Sequence, residues 1–121
     1  MKKLFTLLFS VVFLSISLKA TIPIKVVVVS MFEYGADTGD KPGEFQFWVE
    51  RNDVRKIEAP LGFRDYYASD DGLLIMCTGG GVTNAATSVT ALALDPRFDL
   101  SQAYWIVAGI ACVDPQDASL G

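Results

Sequence analysis

No histidine occurs among the 121 residues. Every Ser-His-Asp or Cys-His nucleophile scheme is thereby excluded, as is every His-ligated metal site. Basic residues are also scarce, 10 against 14 acidic ones for a net charge of −4. A nucleic-acid partner is not expected, because phosphate neutralisation needs a clustered basic face. Only two cysteines are present, Cys77 and Cys112. Each sits in an apolar context where a thiol packs as a small hydrophobe, and neighbouring parallel strands rarely offer disulfide geometry. Beyond residue 20 no segment approaches the roughly 18 apolar residues of a membrane-spanning helix. Disorder is excluded by 51% hydrophobic and 20% charged residues, close to globular averages. The length sets one domain as the upper bound.

Residues 1–20 read as a leader for export. Met1-Lys2-Lys3 is a basic start, Leu4 to Leu18 an uncharged and largely apolar run, and Ala20 a small residue suited to cleavage. A helix over that run spans about 22 Å, short of the roughly 30 Å hydrocarbon core, so a signal peptide is expected over an anchor. Residues 21–121 are then an acidic, exported portion.

That portion alternates strands and helices. Lys25 to Ser30 carries Val26-Val27-Val28-Val29 without polar alternation, as suits a strand covered on both faces. Leu73 to Cys77 and Tyr104 to Ile110 have the same character. Asp40 is placed to cap a helix with Pro42 in its first turn and Phe45, Trp48 and Val49 as its apolar stripe. Val54 to Glu58 and Phe63 to Tyr67 are shorter strand candidates. Val82, Ala85, Ala86, Val89, Leu92 and Ala93 follow helical spacing until Asp95-Pro96. The fold class is α/β with a largely parallel or mixed central sheet. Three buried strands with so few helices leave apolar sheet uncovered, so the domain is expected to be incomplete.

Gly79-Gly80-Gly81 lies between a strand and a helix, where main-chain N–H groups and a positive helix end can hold an anion. It is no P-loop, since no Lys-Ser/Thr follows. Asn84 stands where a dinucleotide fingerprint has its third glycine. By pattern alone a structural turn and a ligand loop are equally good readings. Glu33 lies just past the tip of the first strand, the edge where open α/β sheets bind ligands. A carboxylate there can act as acid, base or hydroxyl acceptor, or can be a solvated loop residue. Gly109-Ile110-Ala111 ends the last strand with small residues that admit a ligand or tight packing. Asp37, Asp40 and Glu44 miss the EF-hand spacing, and no metal is expected.

Val29-Ser30-Met31-Phe32-Glu33-Tyr34-Gly35-Ala36-Asp37-Thr38-Gly39-Asp40, Pro42-Gly43-Glu44-Phe45-Gln46-Phe47-Trp48-Val49-Glu50-Arg51, Leu94-Asp95-Pro96-Arg97-Phe98-Asp99-Leu100 and Ala108-Gly109-Ile110-Ala111 with Val113-Asp114-Pro115 occur in this order. In these segments the chain resembles the purine nucleoside permease family from about Ile24 to Gly121. More distantly, it looks like the nucleoside phosphorylase and nucleosidase superfamily. The resemblance implies an incomplete nucleoside-phosphorylase-like fold, purine nucleoside recognition outside the cytoplasm, and a role in nucleoside uptake. It implies Gly79, Gly80, Ile110 and Ala111 as nucleoside-binding positions, and Gly81 and Gly109, from the glycine turn and the strand end, complete the expected nucleoside-binding set. If the protein is an enzyme, Glu33 is the catalytic acid, as in the nucleosidases. Cys112 departs from the family, where glycine is usual. No cofactor is implied, phosphate being a co-substrate only for a phosphorylase. The implied partners are the nucleoside and a membrane transport partner, with room for a homo-oligomer. Three functions stay open: nucleoside binding and transport, cleavage of the N-glycosidic bond by phosphate or water, and an inactive truncated copy.

Overall fold

The computed structural model describes residues 21–110 and residue 116. The leader expected over residues 1–20, together with Ala111 and Cys112, lies outside the described residues. Among the described residues seven strands and two helices follow in the order β1 (Ile22–Pro23), β2 (Val26–Ser30), α1 (Gln46–Glu50), β3 (Arg55–Ile57), β4 (Tyr66–Ala68), β5 (Leu73–Cys77), α2 (Val82–Ala93), β6 (Phe98–Asp99) and β7 (Tyr104–Val107). Five strands form a mixed sheet in the order β3-β4-β5-β2-β7, and β1 pairs with β6 separately. β2 runs parallel to both β5 and β7, whereas β4 is antiparallel to β3 and β5. The α/β class with a mixed sheet is the one expected.

The unbroken valine run explains the central position of β2. Side chains alternate between sheet faces, so a strand apolar at every position needs cover on both. Val27 and Val29 join Leu74, Met76 and Tyr66 in one core layer, with Leu92 of α2 and Phe98. Val28 joins Ile75 and Cys77 in the other, under Phe45 just before α1 and Val49 within it. Among the described residues no helix is long and apolar enough to cross a membrane.

Four local expectations are corrected. α1 begins only at Gln46, and Phe45, not Asp40, precedes it without a side-chain cap. Asp40 instead accepts the Ala36 N–H at 2.9 Å, because Glu33 occupies the amides at the helix start. The fourth strand is Tyr66–Ala68 rather than Phe63 to Tyr67, since Phe63 to Asp65 are drawn into loop contacts. Along α2 only Ser88 and Leu92 are buried, and Val82 is 86% exposed. Lastly, β7 is shorter than expected, and among the described residues it is not covered: it forms the sheet edge, with all four residues exposed. The β1–β6 pairing, Ile22 against Phe98, had no counterpart in the sequence reading.

Candidate functional site at the strand tips

Parallel pairing decides where the loops go. Ser30 aligns with Cys77 and Val29 with Val107, so β2, β5 and β7 end together and deliver their loops to one sheet edge. β2 is central, so the Glu33 loop emerges between the glycine turn and the Gly109–Ile110 segment. Main-chain bonds fix this junction: the Thr78 N–H donates to Ser30 O at 2.9 Å, and the Ala108 N–H to Val29 O at 2.7 Å. The Ser88 hydroxyl donates to Thr78 O at 3.2 Å and ties α2 back to the end of β5.

The turn itself depends on glycine. Gly79 and Gly81 adopt φ of +77° and +90°, a region that disfavours any side chain. A Cβ at Gly79 would also come within 2.6 Å of the Phe63 ring, which lies against the turn and is 53% exposed. Gly79 is therefore buried beneath Phe63, whereas Gly80 and Gly81 are exposed. Gly81 precedes α2, no side chain caps that helix, and its first turn carries no acid. No described residue takes its leading N–H groups at the positive helix end, an arrangement suited to an anionic or hydroxyl-rich ligand.

Glu33 is 7% exposed, and its carboxylate is fully engaged. Oε1 accepts the Tyr34 and Gly43 N–H groups at 2.8 and 2.5 Å. Oε2 accepts those of Phe45 and Gln46 at 2.9 and 2.6 Å. An ionised carboxylate offers about four lone-pair sites, and main-chain donors occupy all of them here. Gly43 is required for this fit, because a Cβ there would lie 2.9 Å from the Glu33 backbone.

Two further side chains, not singled out as site residues from sequence, complete the edge. Glu44 accepts the Met31 N–H at 3.0 Å and the Ile110 N–H at 2.7 Å, bridging the exits of β2 and β7. Asp37 accepts from Arg64 at 2.7 Å and from the Tyr67 hydroxyl at 2.9 Å, and pairs with Lys56 at 3.2 Å. Arg64 also donates to Gly35 O at 3.0 Å, so the first loop is lashed to the β3–β4 hairpin. Burial pulls the Asp37 carboxyl upward, but the bonds from Arg64, Tyr67 and Lys56 outweigh it and hold it below the ordinary value. Burial raises the Tyr67 hydroxyl, and Asp37 raises it further. As candidate ligands both acids had stood out in the sequence only in a failed calcium pattern; their partners come from 13 to 66 residues away. Burial also raises the Cys77 thiol above its ordinary value at the end of β5.

Of the expected site residues, Glu33, the three glycines, Gly109 and Ile110 thus share one edge, while Ala111 is outside the described residues. Fold and edge define an α/β protein whose loops gather beyond three parallel strand ends. The family model "Purine nucleoside permease (NUP)" matches residues 23–121. A purine nucleoside permease of Candida albicans is 48% identical over 97 residues, covering 80% of this chain and 23% of that protein. A probable purine nucleoside permease of Schizosaccharomyces pombe is 50% identical over 46 residues, 38% of this chain and 13% of that one. No solved structure matches. The chain belongs to the purine nucleoside permease family. It spans about a quarter or less of the length of these relatives.

Proposed function

We propose that this chain is the nucleoside-recognising N-terminal portion of an exported purine nucleoside uptake component, binding its ligand at the strand-tip edge without cleaving it. Family membership over residues 23–121 is the observation that carries this reading. The convergence of three loops on one edge supports it. Gly80, Gly81 and the open start of α2 would meet the ribose hydroxyls, and Gly109, Ile110 and Ala111 would form the opposing wall. Gly79 would contribute through the turn it shapes beneath Phe63. The Glu33 carboxylate, its acceptor sites filled by main-chain donors, would shape the loop and leave the nucleoside intact. The leader over residues 1–20 would direct the protein out of the cytoplasm, and a membrane partner would move the solute.

The test is incubation with inosine or adenosine, with and without phosphate, while binding is followed by calorimetry and products by chromatography. Saturable binding with full recovery of nucleoside is expected. Release of free base would replace this reading with N-glycosidic cleavage, and absence of any binding would leave the truncated, inactive copy. Amino-terminal sequencing of the secreted protein is expected to begin near Thr21.

A further inference from the structure

A cavity of about 450 Å³ lies at the end of α2 remote from the glycine turn, where Ala91, Leu94 and Pro96 face Ala59, Pro60 and Leu61. The twelve residues of α2 at 1.5 Å each put it about 18 Å from the glycine turn. The volume falls in the range of roughly 300–1,000 Å³ typical of small-molecule sites. Its lining is chiefly apolar, with Tyr66 among the lining residues. Tyr66 is 2% exposed, and its ring packs edge-on against Phe98 at 5.9 Å. Burial and the charges of Asp95 and Arg97 act on its hydroxyl, but no hydrogen bond from a described residue does. The hydroxyl has no hydrogen bond to a described residue, yet it is not sealed from solvent, Gln46 Oε1 being the one sealed and unpartnered side-chain atom among the described residues, so it is an accessible donor at the cavity wall.

Two of the three rim charges satisfy each other, and the third, Glu58, is exposed to solvent. Arg97 forks onto both oxygens of Asp95 at 2.6 to 3.1 Å and donates to Glu58 O at 2.8 Å. Neither a cation nor an anion is called for. We propose that this cavity binds a small, neutral, largely apolar molecule bearing one hydrogen-bond acceptor, which receives the Tyr66 hydroxyl. The site is independent of the strand-tip edge and of any nucleoside.

The experiment uses the full chain and two probes of similar shape, acetophenone, which carries a carbonyl acceptor, and ethylbenzene, which does not. Saturable methyl NMR shifts at Ala59, Ala91 and Leu94 are expected with both. Tyr66→Phe should weaken acetophenone by about two- to tenfold, the worth of one net hydrogen bond, and leave ethylbenzene unchanged. Ala91→Phe, which fills the cavity from the helix side, should abolish both while the far-ultraviolet spectrum is retained. Added inosine should displace neither. The proposal is overturned by absence of saturable shifts, by equal weakening of both probes in Tyr66→Phe, by binding that survives Ala91→Phe, or by displacement with inosine.

Discussion

β2 and β7 are neighbours in one sheet and are both uncharged, apolar strands, yet they end in opposite environments. Val27 and Val28 of β2 are fully buried, whereas Trp105 and Val107 of β7 are 42% and 70% exposed. Composition states what a strand needs, and place in the sheet order decides what it receives. β2 has β5 on one side and β7 on the other, with a core layer on each face. Among the described residues β7 has a strand partner on one side only, so its other edge is open to pairing between apolar side chains.

The sharpest way to break the contrast is one substitution made on both sides of it. Ile75→Ala in β5, fully buried, should cost about 2–5 kcal/mol, whereas Ile106→Ala in the exposed edge should cost under about 1 kcal/mol. Urea unfolding measures both, and similar losses would mean that β7 is as well covered as β5. Next in size is the clasp beside β2. Glu33→Ala strands four main-chain donors and should lower stability by about 3 kcal/mol in the same assay. An unchanged midpoint would show that the carboxylate is not the structural tie described here. Gly79→Ala forces a side chain into φ +77° and against Phe63. It should cost about 1–3 kcal/mol, partly recovered in Gly79→Ala with Phe63→Ala.

A smaller effect concerns pH. Asp37 has its pKa lowered in the folded state, so its contribution is present above the ordinary value near 3.8 and is lost as pH falls below it. Asp37→Asn should remove that share of the acid-induced loss, seen by comparing unfolding midpoints at about pH 6 and about pH 3. An identical acid sensitivity would dismiss the Arg64–Tyr67–Lys56 cluster as a stabilising feature. Least affected should be Ile106→Lys: stability nearly unchanged, self-association at high concentration reduced, as read by sedimentation.

Continuous apolar runs made β2 and β5 legible, because nothing but double-sided cover satisfies Val26-Val27-Val28-Val29 or Leu73-Leu74-Ile75-Met76. Helical spacing ending at Asp95-Pro96 likewise located α2. Its exposed Val82 and buried Ser88 were not legible, since the apolar stripe says nothing of a serine bonded to Thr78 O. The edge position of β7 is a property of sheet order, which no local pattern carries. α1 was placed too early because Asp40 and Pro42 form a good start signal, whereas the actual start depends on Glu33, 13 residues before Gln46. Glu33 itself was found by its position after β2. That its oxygens would turn inward to four amides was not, because those donors are defined only once the loop has closed. Glu44 and Asp37 were hidden for the same reason.

The Glu33 clasp has one more consequence. Its four donors come from both ends of a single stretch, Tyr34 at one and Gly43 to Gln46 at the other. The stretch is a closed hoop, and loosening one amide weakens the hold on the other three. In hydrogen exchange these amides should surrender their protons together, in one concerted opening set by the carboxylate, while Gly35 and Thr38 exchange on their own schedule.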